Sequence, residues 1–226
     1  MVLGLVAILT PASLFGYGYS RDDDPLLKSF RKAVVSARKK DWKELEKATE
    51  EVTWQTDELA TDFGIKFHAA LVKAARAKSA KAAILKWANL VDLALRQKFY
   101  WNLKEKLADF PKSKARLAAA RYYYDVVLAG NVKRFDKSRK TTLNKEIEAL
   151  FDRARTELGR PAIIGTGSRA ADPKAFRKSA AAILKRLDQV FPYFTRPEWS
   201  PGAAPRGGPA GRGEGGPRKT PDGDGR

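Results

Sequence analysis

His68 is the only histidine in a chain without cysteine. One imidazole rules out any multi-histidine metal site. The absence of thiols removes disulfides, cysteine-ligated zinc, thiol catalysis and haem attached through Cys-x-x-Cys-His. His68 keeps two chemical uses, an axial haem ligand or a lone acid–base group. The plainer expectation is an imidazole at the edge of a helix's apolar stripe, three residues before Leu71. Carboxylates remain as ligands for hard ions. Glu46 with Glu50, and Glu58 with Asp62, are i,i+4 pairs, but each sits among lysines and reads as a solvated charged face. The Glu-x-x-His motif of di-iron bundles is absent. No cofactor or metal is expected, no catalytic residue is assigned, and no motif supports an enzyme class. The segment Ile163-Ile164-Gly165-Thr166-Gly167-Ser168-Arg169-Ala170 carries part of the glycine pattern of a dinucleotide-binding turn. That turn needs a strand before it and a βαβ unit around it. Here helical periodicity stands on both sides, so the segment reads as a loop with limited capacity to hold an anion.

Two aromatic triplets flanked by basic residues are less ordinary. Tyr122-Tyr123-Tyr124 lies between Arg121 and Asp125, and Phe99-Tyr100-Trp101 lies between Lys98 and Asn102. Successive helix positions point about 100° apart, so three in a row cannot all face one core. Tyr122, Tyr123, Tyr124, Tyr100 and Trp101 are therefore candidates for an aromatic surface that stacks on bases, on a flat cofactor or on another protein. Packing between neighbouring helices is the competing reading. Cations cluster along Lys73, Arg76, Lys78, Lys81 and Lys86, and again along Lys133, Arg134, Lys137, Arg139 and Lys140. The second cluster is predicted to fall in an interhelical turn, where cations lack acidic partners one helical turn away. It is the candidate binding site for an anion or an acidic partner.

These side chains belong to a strongly basic chain of 226 residues with a formal charge of +18. The charges of residues 1–24 and 195–226 cancel, so the whole excess resides in 25–194, where it creates a field that attracts polyanions. That segment repeats apolar residues at helical spacing. Asp24 before Pro25 is a helix start. Asp41-Trp42-Lys43-Glu44 is a capping box opening a second helix, and the two form a predicted hairpin. From Gly64 to Phe110 there is no Pro and no further Gly, which predicts one or two helices ended by Pro111. A helix through Leu117, Ala120, Tyr124, Val127 and Leu128 is closed by Gly130-Asn131. Another through Leu143, Ile147, Leu150, Phe151, Ala154 and Leu158 stops at Gly159 and Pro161. The last runs through Phe176, Ile183, Leu187 and Val190 behind Asp172 and Pro173. No alternation long enough for a sheet is present. The expected fold is all-α, an antiparallel helical bundle of about five to seven helices over residues 25–194.

Both ends differ in composition. Residues 1–20 hold no charge, and the apolar run Met1–Leu9 followed by Pro11 suits the hydrophobic region of a signal peptide or a membrane anchor. Residues 195–226 are rich in Gly, Pro and Arg and are expected to form a disordered tail. The resulting expectation is a non-enzymatic binding or scaffold protein, periplasmic or otherwise extracytoplasmic, exported or held at a membrane by residues 1–20. It would engage an acidic protein partner or an anionic membrane surface through its basic face. One alternative is a cytoplasmic protein bound non-specifically to nucleic acid. The other is a haem, metal or redox-associated bundle using His68 or the tyrosines.

Overall fold

The computed structural model describes residues 24–161, 167–199 and 201. The expected signal or anchor at 1–20, most of the tail from 195, and Ile163 to Thr166 of the glycine loop lie outside the described residues. Those residues form nine α-helices and one π turn, and the all-α expectation holds. An isolated bridge between Arg160 and Arg169 is the sole β-type pairing among them.

Short polar caps set most helix starts. Asp24 accepts the Leu27 amide and Pro25 occupies the first turn of α1 (Pro25–Lys39). Asp41 accepts the Glu44 amide at the start of α2 (Trp42–Glu50). The apolar stripe Trp42, Leu45, Val52 and Leu59 continues beyond this helix, yet the chain breaks at Glu51 and Val52 before α3 (Thr53–Phe63). Threonines accompany the break: the hydroxyls of Thr49, Thr53 and Thr56 donate back to the carbonyls of Leu45, Glu50 and Thr53. Such back-bonding competes with the helix ladder and bends it. Gly64, in the left-handed region at φ 69°, closes α3.

Next come α4 (His68–Arg76) and α5 (Ala80–Lys104), separated by Lys78 at φ 49° and by Ser79, which caps α5. The second helix stops before Pro111 because Lys106 and Leu107 turn left-handed, at φ 52° and 59°. Pro111 instead lies in the first turn of α6 (Phe110–Tyr123), capped by Asp109. Gly130-Asn131 does not close a helix either. The chain passes through a π turn (Tyr124–Leu128) directly into α7 (Ala129–Arg139). α8 (Leu143–Glu157) follows, ended by Leu158 and by Gly159 at φ 77°. α9 (Pro173–Val190) is capped by Asp172.

The helices are arranged around α5, which touches α1, α3, α4, α6, α9 and the π turn. Every residue from Trp87 to Gln97 is buried, so this stretch is enclosed on all sides rather than along one stripe. Aromatic contacts extend the core outward: Phe99 lies 5.9 Å from Phe151 and 6.1 Å from Phe176, and Tyr124 lies 5.8 Å from Phe151. Four polar residues share the enclosed stretch, and each has at least one hydrogen-bond partner. Asp92 accepts Arg96 Nε at 2.8 Å, and Arg96 Nη2 reaches Asp188 of α9 at 2.7 Å. Burial pushes the Asp92 carboxyl up from its ordinary range, against the pull of Arg96. Gln97 bonds Gln55, Glu58 and Asp62 of α3. The Asn89 amide accepts the Thr195 N–H and donates to its carbonyl.

Packing therefore continues past Phe194. Arg196 pairs with Asp188 at 3.1 Å, Trp199 stacks on Phe63, and the Pro201 carbonyl accepts from Arg177. Among the described residues no helix is long and apolar enough to cross a membrane.

Removing one member of a buried charge cluster leaves the others uncompensated. Asp92→Ala is expected to lower the unfolding free energy by about 3 kcal/mol. Arg196→Ala, at the half-exposed end of the same cluster, should cost less than about 1 kcal/mol. Urea denaturation of both variants checks the contrast.

Candidate anion-binding surface

The basic cluster from Lys133 to Lys140 lies on α7, not in an interhelical turn. The π turn feeds the chain into α7 without an intervening cap, so Gly130 becomes a helical residue. The helix ends only at Lys140, whose left-handed φ of 55° lets its N–H reach the Asp136 carbonyl. With about 100° per residue, Lys133 and Lys137 stand about 40° apart and Arg134 a further 60° round. Val132 and Phe135 occupy the opposite arc and pack inward. Lys133, Arg134, Lys137, Arg139 and Lys140 are all exposed. None forms an ion pair among the described residues, and the polar partner of Arg134 is the neutral Asn131 amide.

The reason is local. Asp136 is the single carboxylate of α7, and it points toward the next helix. Its oxygens accept the amides of Leu143 and Asn144 at 2.9 and 2.8 Å, together with the Thr141 hydroxyl. Thr142, at the N-cap position of α8, makes no side-chain capping bond of its own, so Asp136 supplies the cap from the preceding helix. Partial burial works against the charged form of Asp136. The bonds from Thr141, Asn144 and Leu143 outweigh it and hold the carboxyl below its ordinary range. The acid that would neutralise this face is thereby withdrawn from it.

The aromatic candidates do not form a surface. Tyr123 and Tyr124 are buried, at 2% and 0% exposure. Their hydroxyls donate to Asp24 Oδ2 at 2.9 Å and to Asn144 Oδ1 at 2.8 Å. Burial pushes the Tyr124 phenol up, away from any use as a base. Tyr122 is half-buried and accepts from Arg31 Nη2 at 3.0 Å. All three rings are accommodated because the hydroxyls find acceptors or donors on separate elements, which the spacing alone does not reveal. Tyr100 and Trp101 are half-buried as well. Trp101 Nε1 donates to Asp62 at 2.8 Å. Lys104 lies 4.4 Å from the Trp101 ring, and Phe63 and Trp199 both meet Tyr100 edge-to-face at 5.2 Å.

The other candidates lie apart from this surface. His68 opens α4 with Nε2 3.6 Å from Glu50, and Nδ1 is buried without a partner. Glu58 and Asp62 face Gln97 and Trp101. Among the described residues no group of three metal-ligating side chains converges. The first basic cluster is less free than the second, since Arg76 stands 4.0 Å from Glu46 and Lys86 lies over Phe67. The residue that sequence reasoning missed is Asp136. A lone Asp seven residues before the helix start at Leu143 is the signal that could have identified it.

No family model matches this chain, and neither a curated protein nor a solved structure matches it significantly.

Asp136 stabilises the α7–α8 corner only while ionised. Its folded-state pKa is depressed, so the contribution is present above the unfolded value of about 4 and fades as the pH drops through the folded value. Asp136→Ala should cost about 1 kcal/mol at pH 7. The gap between variant and parent should narrow below about pH 4, as read from urea midpoints across pH.

Proposed function

We propose that this protein is a non-enzymatic binding or scaffold module that docks on an acidic partner or an anionic surface through α7. The observation that carries the reading is the bare cationic surface of α7: Lys133, Arg134 and Lys137 on its outward face, with Arg139 and Lys140 exposed at its C-terminal end, have no carboxylate partner among the described residues. Lys133 to Lys140 spans about 10 Å of helix at about 1.5 Å per residue. Charge spread along a convex helix offers no recess for a small anion. It suits a broad array of negative groups, and it adds to the net field of a chain at +18.

In this reading the protein works outside the cytoplasm, delivered or anchored by residues 1–20. The support is the uncharged segment containing the run Met1–Leu9. Binding does not depend on a reaction at the surface. It depends on ionic strength, because exposed charges separated by more than about 8 Å are screened at physiological salt.

Co-sedimentation with lipid vesicles and retention on immobilised polyglutamate test the proposal. The parent protein should bind vesicles containing anionic lipid and bind polyglutamate, fail to bind neutral vesicles, and release both ligands as salt rises. Each lysine near an anionic surface contributes about 1 kcal/mol, so Lys133→Gln combined with Lys137→Gln should weaken binding by about 2 kcal/mol, or about thirtyfold. Unchanged binding by the double variant overturns the role of α7. Preference for duplex DNA over polyglutamate at matched salt overturns the choice of partner.

A further inference from the structure

Two stripes of side chains face each other across a cleft of about 350 Å³ on the side of the bundle where α6 meets α8. From α6 and the π turn come Lys114, Ala118, Arg121 and Asp125, at the i, i+4, i+7 and i+11 positions of one helix face. From α8 come Phe151 and Arg155, and Leu158 follows at its end. The floor is apolar, made by the buried side chains of Leu117, Phe151 and Leu158. Ala118 leaves the room that a larger side chain would fill. The volume falls in the range of about 300–1,000 Å³ that small-molecule sites occupy.

The rim is cationic and partly preorganised. Arg121 Nε donates to both oxygens of Asp125 at 3.1 Å, and Nη1 donates to the Glu148 carbonyl at 3.2 Å. These bonds hold the guanidinium 5.3 Å over the Phe151 ring, while Nη2 has no partner among the described residues. Arg155 and Lys114 stand exposed at the mouth and form no ion pair there. Asp152, 4.0 Å from Arg121 and largely exposed, completes the rim. Three cations against two carboxylates favour a single negative charge and work against a polyphosphate. A π turn, a distortion that recurs at functional sites, forms one end of the cleft.

We propose that this cleft binds a small amphiphilic monocarboxylate, with an aryl or acyl body on Leu117, Phe151 and Leu158 and the carboxylate bridging Arg155, Lys114 and Arg121 Nη2. The site is separate from the α7 face and stands or falls independently of it.

Titration of the full protein with 1-naphthoate and with the uncharged 1-naphthamide, followed by amide NMR and calorimetry, tests it. Naphthoate should shift amides in 114–125 and 151–158. Naphthamide should bind at least about fivefold more weakly, since the carboxylate meets three cations and one partly exposed ion pair contributes up to about that factor. Arg155→Gln should weaken naphthoate by about the same factor and leave naphthamide unchanged, a pattern that simple loss of structure would not give. Ala118→Trp should abolish both while the remaining spectrum is preserved. The inference fails if millimolar naphthoate moves none of these amides. It fails equally if Arg155→Gln binds both probes like the parent, or if the Lys133 and Lys137 double variant loses naphthoate binding.

Discussion

An α-helix enclosed on every side cannot send its polar side chains to water, and the bundle is arranged around that condition in α5. From Trp87 to Gln97 the helix is surrounded, yet Asn89, Asp92, Arg96 and Gln97 lie within this stretch. Apolar burial supplies most of the driving force and is indifferent to direction. The four polar groups are not indifferent, because a buried donor or acceptor without a partner costs on the order of 1–3 kcal/mol. Asn89 fixes the segment after α9, Arg96, held by Asp92, fixes α9 itself, and Gln97 fixes α3. The α3 and α9 helices and the segment after α9 thus each have a specific register on α5 as well as a contact area.

The distribution of charge follows from a similar division of labour. Many carboxylates act as structural acceptors. Asp24, Asp41, Asp109 and Asp172 cap their own helices, and Asp136 caps the next one. Asp62 takes Gln97 and Trp101, and Glu146 takes Arg186. Glu105 is held by hydrogen bonds from Arg116, which together with Lys112 outweigh desolvation and lower its pKa to about 2. With its acids directed at backbone amides and at neighbouring helices, the protein leaves a surplus of Lys and Arg facing outward. The bare face of α7 is the clearest instance.

Much of the fold was legible because helix starts and apolar stripes are local signals. The Asp-then-Pro starts at 24 and 172, the capping box at 41 and the stripes of α8 and α9 all rest on residues within a few turns of each other. What escaped the sequence depends on contacts or on backbone conformations that no residue type announces. Lys106 and Leu107 end α5 in left-handed conformations usually left to glycine. Gly130 reads as a stop but continues a helix, because the preceding π turn already carries the irregularity. At the candidate site, the five cations were identifiable from composition while their element was not. The tyrosine triplet misled for a related reason: the acceptor of the Tyr123 hydroxyl lies 99 residues away in sequence, and spacing along one helix contains no information about it.

The π turn between α6 and α7 also acts as a phase shifter. A π turn holds one more residue than the α turn it replaces, and each residue advances a helix by about 100°. The angle at which α7 presents its cations is therefore set at Tyr124–Leu128, one turn upstream of the cations themselves. A chain one residue shorter there would keep every lysine and arginine of α7 but rotate them by more than a quarter turn, bringing Val132 toward water and Lys133 toward the core. The direction of the basic face is thus a property of chain length across five residues that carry none of its charge.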